Sequence, residues 1–331
     1  MSSTSNAVLT ADSIWLDGKI VPWAQGQVPI MTHALHYGLG VFEGLRAYRT
    51  HDGRLAVFRL REHMKRFADS CHIIQLELPY TEEQLCEACL EVLRAQRQRF
   101  AGGAYLRPIA FMGDGAMGLG AVNPTRVAVT AWDWGAYLGD KGMREGIRAK
   151  VSSFTRMHVN VNMVRGKITG QYVNSILAKR EAVQAGYDEA ILLDISGFVA
   201  EASGENIFMV NKKDIVRTPP LSSPILAGIT RRSVLRILKD MGHPVEEVTF
   251  TRDALYISNE VFFTGTAAEI TPVREVDNRR IGTGAVGPVV KKVQEMYFRV
   301  VRGPEPRYAE WLTYVCCLKR RGLHDEVSET W

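Results

Sequence analysis

The chain has no apolar run approaching the ~20 residues needed to cross a bilayer, so no membrane span is expected. Met1 to Ala11 is polar, with no basic start and no apolar stretch behind it. No signal peptide is expected, and cytoplasm is the default compartment. Charge of one sign is lacking too. The 41 Lys and Arg are nearly balanced by 36 Asp and Glu, with the signs interspersed. The one dense basic run, Lys319-Arg320-Arg321, sits in the tail, and no basic stripe or recognisable module accompanies it. That argues against a nucleic-acid partner. Cysteine is scarce, five residues and an odd count. Cys86 and Cys89 form a CxxC, but their segment, Thr81 to Arg94, reads as an amphipathic helix. Thr81 and Gln84 suit a capping box at its start. Leu85, Cys86, Cys89, Leu90 and Leu93 fall on one face, so a buried helix face is expected rather than a redox pair. Cys316-Cys317 show no ligand spacing, and no metal is expected.

What is present fits a globular protein of about two domains. The chain has 331 residues, 46% apolar and 23% charged. Ile14 to Val21 reads as a hairpin around Asp17-Gly18, and Leu45 to Arg59 as another around Asp52-Gly53, each Asp-Gly supplying positive φ angles. A helix follows with Met64, Phe67, Ala68, Cys71 and Ile74 at helical spacing. After the capped helix come strands at Ala104 to Phe111 and Arg126 to Trp132. The glycine-rich segment 134–142 is a candidate linker. Beyond it, a strand runs from Ile147 to Phe154 and a helix from about Gly170 to Ala185. Strands follow at Ala190 to Asp194, Phe198 to Ala200 and Asn206 to Val210. A helix at Arg231 to Met241, a strand at Glu260 to Thr264 and a helix at Pro288 to Val301 complete the pattern. The hairpins and mixed crossovers give an α+β class. The expected division is a small α+β domain over 1–133, the linker, a large domain over 143–315, and a polar tail over 316–331.

Gly113-Asp-Gly115-Ala-Met-Gly118 matches GxGxxG after a strand. A dinucleotide site needs a helix to begin there, but Leu-Gly-Ala-Val-Asn-Pro follows, so a glycine-rich loop is expected. Lys167 is more telling. It lies among Gly, Ile and Thr rather than among charges, just before a helix with apolar positions Ile176 and Leu177. Weakly polar surroundings favour a neutral amine, which imine formation requires. Arg165 would add to this if the segment is extended. A lysine in a half-buried strand is the plainer alternative. Two segments suit an anion. Leu226-Ala-Gly-Ile-Thr230 runs into a helix with Thr230 placed as its N-cap. Thr264-Gly-Thr-Ala-Ala268 could form an anion nest. Glu201 and Glu205 lie between apolar strands, where a carboxylate must be paired or functional. Tyr37, Phe42 and Tyr105 with Arg46 and Arg107 supply an apolar pocket with a few polar groups, suited to an aliphatic side chain with a carboxylate.

Taken together, these segments resemble fold-type IV pyridoxal-phosphate (PLP) enzymes, specifically the branched-chain amino-acid aminotransferases. The similarity covers about Ile14 to Val315. It rests on His36-Tyr-Gly38, Val41-Phe-Glu-Gly44, Arg61-Glu-His-Met-Lys-Arg66, Tyr105-Leu-Arg-Pro108, Trp134-Gly-Ala-Tyr137, Gly166-Lys-Ile-Thr-Gly-Gln-Tyr172, Glu201-Ala-Ser-Gly-Glu-Asn206, Gly228-Ile-Thr230 and Gly265-Thr-Ala-Ala-Glu-Ile-Thr-Pro272. The resemblance implies a small α+β domain and a larger pseudo-barrel domain, with PLP between them. It implies that Lys167 carries PLP as a Schiff base and moves the proton, that Glu201 pairs with the pyridine nitrogen, and that Tyr172 meets the phenolic oxygen. Arg66, the amides of Ile229 and Thr230, and Thr266 would hold the phosphate, with Leu226 also against the cofactor. Thr266-Ala267-Ala268 and Tyr105 would take the substrate α-carboxylate. Tyr37, Phe42, Gly44, Trp134 and Tyr137 would wall the side-chain pocket, and Arg107 would take the γ-carboxylate of glutamate. The implied reaction exchanges amino groups between leucine, isoleucine or valine and 2-oxoglutarate. The implied partners are amino and 2-oxo acids and at least one second copy of the chain. D-Amino-acid or (R)-amine aminotransferase and aminodeoxychorismate lyase, which share the fold, are the rivals. Met157 to Val164 matches no motif of the family.

Overall fold

A computed structural model describes residues 10–100, 102–133 and 139–315. Two sheets dominate it. The first has eight strands, all paired antiparallel. Its order is Leu312–Tyr314, Leu55–Phe58, Leu45–Arg49, Gly103–Met112, Thr125–Trp132, Ser13–Leu16, Lys19–Pro22, and Gly40–Phe42 pairs alongside Gly103–Met112. The second sheet has nine strands. Its order is Val199–Ala202, Glu189–Leu193, Ile147–Val151, Glu269–Val276, Glu260–Gly265, Asn206–Val210, Val216–Thr218, Val245–Glu247, with Arg279–Arg280 beside Glu269–Val276. Three of its pairings are parallel, and it curls as a half-barrel. The α+β class follows from this mixture.

Turn chemistry sets the first hairpin. Asp17 and Gly18 take φ of 44° and 97°, which matches the right-handed strand twist. Asp17 also accepts from the amide of Val127 at 2.8 Å, tying the turn to the next strand. The second hairpin differs from expectation. Arg49 pairs with Leu55, so the loop has five residues, and only Gly53 within it has positive φ. Asp52 instead accepts from the Thr50 hydroxyl (2.7 Å) and the Arg54 amide (3.1 Å), organising the loop through its side chain.

The helices Leu60–Ile73 and Glu82–Ala95 cover the first sheet. The capping box at Thr81 and Gln84 is present with both bonds made. Met64, Phe67, Leu85, Cys89 and Leu93 are buried with Leu45, Leu106 and Val129. Each such side chain contributes about 1.5–3 kcal/mol on leaving water. Burial pushes the thiol of Cys86 up to about 11 and that of Cys89 higher still, so neither is a ready thiolate. The second sheet packs against Ile229–Asp240 and Pro288–Val301. That core also takes in Ala56 and Phe58 of the first sheet and Trp311 and Leu312. Apolar contact therefore continues across the seam between the sheets.

The first sheet draws on residues 13–132 and on the returning strand Leu312–Tyr314, the second on residues 147–280. Of the candidate linker, 134–138 lies outside the described residues, and Gly139–Gly142 falls within a helix, Gly139–Glu145. The tail 316–331 also lies outside them. No described helix is long and apolar enough to cross a membrane.

Candidate active site

The seam between the sheets opens into a cavity of about 470 Å³, part of it open to solvent. Gly44, Arg66 and Tyr105 line it from the first sheet's side. Lys167, Asn206, Leu226, Gly228 to Thr230 and Thr264 to Ala267 line it from the second.

Lys167 is held from both sides. Its amide donates to Ser70 Oγ at 3.1 Å, and its carbonyl accepts from the Phe42 amide at 3.1 Å. Gly38 and Gly170 make the next contact, the Gly170 amide donating to Gly38 O at 3.2 Å. A Cβ at Gly38, whose φ is 70°, would press on the Gly170 backbone. Lys167 Nζ then donates to the Tyr172 hydroxyl at 2.6 Å. It lies 4.8 Å from the centre of the Phe42 ring. The segment before Lys167 is not extended. A turn from Met163 to Gly166 rotates Arg165 away, and its guanidinium donates to Leu221 O at 2.5 Å. Arg165 is therefore no neighbour of the lysine amine.

Behind the lining residues Asn206 and Leu226 lies a buried carboxyl group. Glu201, 4% exposed, accepts from Asn206 Nδ2 and the Leu226 amide, both at 3.0 Å on Oε2. Its Oε1 meets Arg156 Nη2 at 2.9 Å. Burial raises the pKa of Glu201 above the usual carboxylate value, opposed first by Arg156. Glu205, the other carboxylate of that segment, is buried with the Gly204 amide at 3.2 Å. Burial and the nearby Glu189 push it up to about 8, so it is neutral at pH 7. Burial thus raises both glutamates; Glu201 is opposed by a guanidinium in contact with it, Glu205 by Lys179.

One wall is an anion cup. The helix Ile229–Asp240 starts at Gly228, with no side chain capping it. Thr230, expected as the cap, is the second helical residue, because Gly228 rather than Thr230 has extended dihedrals. The first-turn amides consequently remain free for an anion. A Cβ at Gly228 would overlap Asn206 Oδ1, so glycine is required there. Arg66 reaches the cup from helix Leu60–Ile73 and donates to Ala227 O at 3.0 Å. Its guanidinium grips Glu43 through Nε–Oε1 (2.6 Å) and Nη2–Oε2 (2.9 Å). Glu43 also accepts from His63 Nδ1 at 2.7 Å. Thr264 Oγ1, buried in the cavity lining, has no partner among the described residues.

Tyr105 joins the cavity to an aromatic cluster beside it. Arg107 lies 4.6 Å over the Phe42 ring, and its Nη2 is 3.5 Å from the Tyr105 hydroxyl. Its Nε is buried and has no partner among the described residues. A Cβ at Gly44 would overlap the Tyr105 hydroxyl. Ala268 is buried behind the turn, its carbonyl accepting from Thr271 Oγ1 at 2.7 Å. Tyr37 lies outside the lining, 44% exposed against the His33 ring. Trp134 and Tyr137 lie outside the described residues. The Gly113 loop starts no helix and is held by Asn123, which bonds Ala116 and Gly113.

An amine held beside a phenol, a buried carboxyl group paired with Arg156 and an anion cup suit a flat phosphorylated ring. A family model described as amino-transferase class IV matches residues 40–276. The chain belongs to the class IV amino-transferases. The branched-chain-amino-acid aminotransferase of Pseudomonas aeruginosa is 47% identical over 303 residues, which is 91% of this chain and 97% of that protein. The solved branched-chain aminotransferase of Escherichia coli aligns with a TM-score of 0.89 and 42% identity, covering 92% of this chain and 100% of that one. The branched-chain aminotransferase of T.th., solved with pyridoxamine 5'-phosphate, aligns with a TM-score of 0.89 and 48% identity, over 93% of this chain and 100% of that one.

Three residues that hold this class IV site together carry no assignment from sequence. Glu43 and His63 stand inside matched motifs, and the i,i+3 spacing of His63 and Arg66 on one helix face was the available signal. Arg156 precedes a stretch with no motif and left no signal.

Proposed function

We propose that the chain is a PLP-dependent aminotransferase that exchanges amino groups between branched-chain L-amino acids and 2-oxoglutarate. The observation that carries it is the placement of Lys167 Nζ 2.6 Å from the Tyr172 hydroxyl, in one cavity with the first-turn helix amides and with Asn206 and Leu226, which bond Glu201. PLP supplies, when bound, an electron sink for the pair released at the substrate Cα.

The protein's residues do the rest. Lys167 carries the cofactor and moves the proton at the substrate Cα. Tyr172 orients the lysine amine. Glu201 pairs with the ring nitrogen, while Arg66, Leu226, Ile229, Thr230 and Thr266 hold the phosphate end. Tyr105 with Ala267 and Ala268 takes the α-carboxylate. Phe42 and Gly44 shape an apolar pocket, to which Tyr37, Trp134 and Tyr137 belong in the same proposal. Arg107, with its unsatisfied Nε, receives the second carboxylate of glutamate, so one pocket serves leucine and glutamate alike.

The proposal includes a homodimer or higher assembly. Ile30, Met31, Leu35, Tyr37, Leu119 and Val122 are exposed, and Val173, Ile176 and Leu177 are exposed on the helix after Lys167. The apolar positions Ile176 and Leu177 thus face out of the single chain, as an interface would require. It also includes a cytoplasmic location, in keeping with free thiols at Cys71, Cys86 and Cys89. The domain division at 134–142 is retained as part of this reading.

The test is amino transfer to 2-oxoglutarate from L-leucine, L-isoleucine and L-valine, with D-alanine alongside. Turnover with the L-substrates and none with D-alanine is expected. The reverse preference would overturn the reading.

A further inference from the structure

Arg156 takes no part in the assignments above, yet it is tied to the buried carboxyl group behind the cavity lining. Only 8% of it is exposed. Its Nη2 meets Glu201 Oε1 at 2.9 Å. Its Nη1 donates to Ser175 Oγ at 3.2 Å and Asn174 Oδ1 at 3.4 Å. Its amide donates to Leu193 O at 2.7 Å. The two oxygens of Glu201 are thus divided. Oε2 is taken by the neutral donors Asn206 and Leu226, and Oε1 by Arg156. No other side-chain cation among the described residues lies within 4.0 Å of Glu201.

A carboxyl group in such a place takes up a proton unless a cation compensates it. Burial acts on Glu201 in that direction, and Arg156 is the first influence against it. Glu205, of the same segment, adds a like charge whenever it ionises. A neutral Glu201 could donate a hydrogen bond to a ring nitrogen but could not stabilise a proton on it. Ser175 and Asn174 lie on the helix Tyr172–Gln184, which starts with the tyrosine that meets Lys167. One guanidinium therefore references the ring-nitrogen side of the cavity to the element that orients the lysine.

We propose that Arg156 is a positioning residue: it holds Glu201 ionised and aimed at the cofactor ring nitrogen, so that the ring keeps its proton. The inference rests on the proposed PLP function. Its test separates the two. In apoprotein, the carbonyl stretch of a protonated carboxyl is sought by infrared difference spectroscopy at neutral pH. A carboxyl band additional to that of neutral Glu205 is expected in Arg156→Met relative to the wild type, and is expected to be missing from Arg156→Met combined with Glu201→Gln relative to Glu201→Gln. In holoprotein, Arg156→Met is expected to lower kcat by about tenfold to a hundredfold, and Arg156→Lys to recover most of the loss. The double variant should be no slower than Glu201→Gln alone, because both changes remove the same ionised pair. Absence of the additional carboxyl band in Arg156→Met, or losses that multiply in the double variant, would overturn the inference. Should Arg156→Met not fold, the band in Arg156→Lys must appear at higher pH than in the wild type, and an unchanged midpoint overturns it. Failure of the protein to bind PLP would instead overturn the functional reading and leave the infrared result standing.

Discussion

The Lys167 amine donates to the Tyr172 hydroxyl at 2.6 Å while the Phe42 ring lies beside both, 4.8 Å from Nζ and 4.7 Å from the tyrosine ring. The amine is thereby aimed into the cavity before any ligand arrives. Removing it by Lys167→Ala should cost turnover by at least on the order of 10²–10⁴, the range for a positioned proton-transfer group. PLP should remain bindable through the phosphate cup. Measurable turnover near the wild-type level would remove the lysine from the chemistry. Tyr172→Phe, which keeps the ring and loses the hydroxyl, should cost far less than the lysine change.

Arg107 is placed to tell two substrates apart. It lies over Phe42 and beside the Tyr105 hydroxyl, with a buried Nε that has no hydrogen-bond partner among the described residues. Leucine brings one carboxylate and glutamate brings two. Arg107→Ala should raise KM for glutamate or 2-oxoglutarate by about tenfold to a hundredfold, as expected for a charged hydrogen bond. The KM for leucine should change less. Equal losses for both would contradict the assignment.

Glu43 couples stability to pH. Burial pushes its carboxyl upward, but Arg66 and His63 together outweigh burial and hold it well below the usual carboxylate range. Burial also lowers His63 below its ordinary value, and here the nearby Glu43 does not win. The contact between them is therefore a hydrogen bond from a neutral imidazole. Both groups bind fewer protons folded than unfolded, so both contribute stability at high pH that is lost on acidification. The melting temperature should begin to fall below about pH 6.5, through His63, and fall again below about pH 4, through Glu43. Glu43→Gln should destabilise by roughly 3–5 kcal/mol, because it leaves Arg66 buried without its counter-charge. Thermal melts from pH 2.5 to 8 check this, and a flat profile would contradict it.

Legibility followed the reach of the interactions. Local rules located the capped helix at Thr81, the Asp17-Gly18 turn and the strand Asn206–Val210, because each is set within a few residues. The lysine, the buried glutamate and the anion cup were readable because each lies in a compact motif. The strand Glu269–Val276 was not expected, since Pro272 argues against a central strand. It is tolerated because the parallel partner pairs only from Val273 onward. The return of Leu312–Tyr314 to the first sheet spans more than 250 residues and leaves no periodic trace. Arg156 was invisible for the same reason, since its partner Glu201 lies on a strand beyond an intervening helix. Arg165 departs from expectation because the turn at Met163 to Gly166 carries no strong turn signal.

The most direct test of the account is the visible absorbance of the purified, PLP-loaded protein before and after L-leucine is added alone. The account predicts a yellow protein whose band gives way to that of the aminated cofactor, with one equivalent of 2-oxo acid released per site. A yellow protein indifferent to L-leucine would contradict the branched-chain L-substrate and leave its D-amino-acid, amine and lyase relatives. A protein that stays colourless with PLP would contradict the site itself.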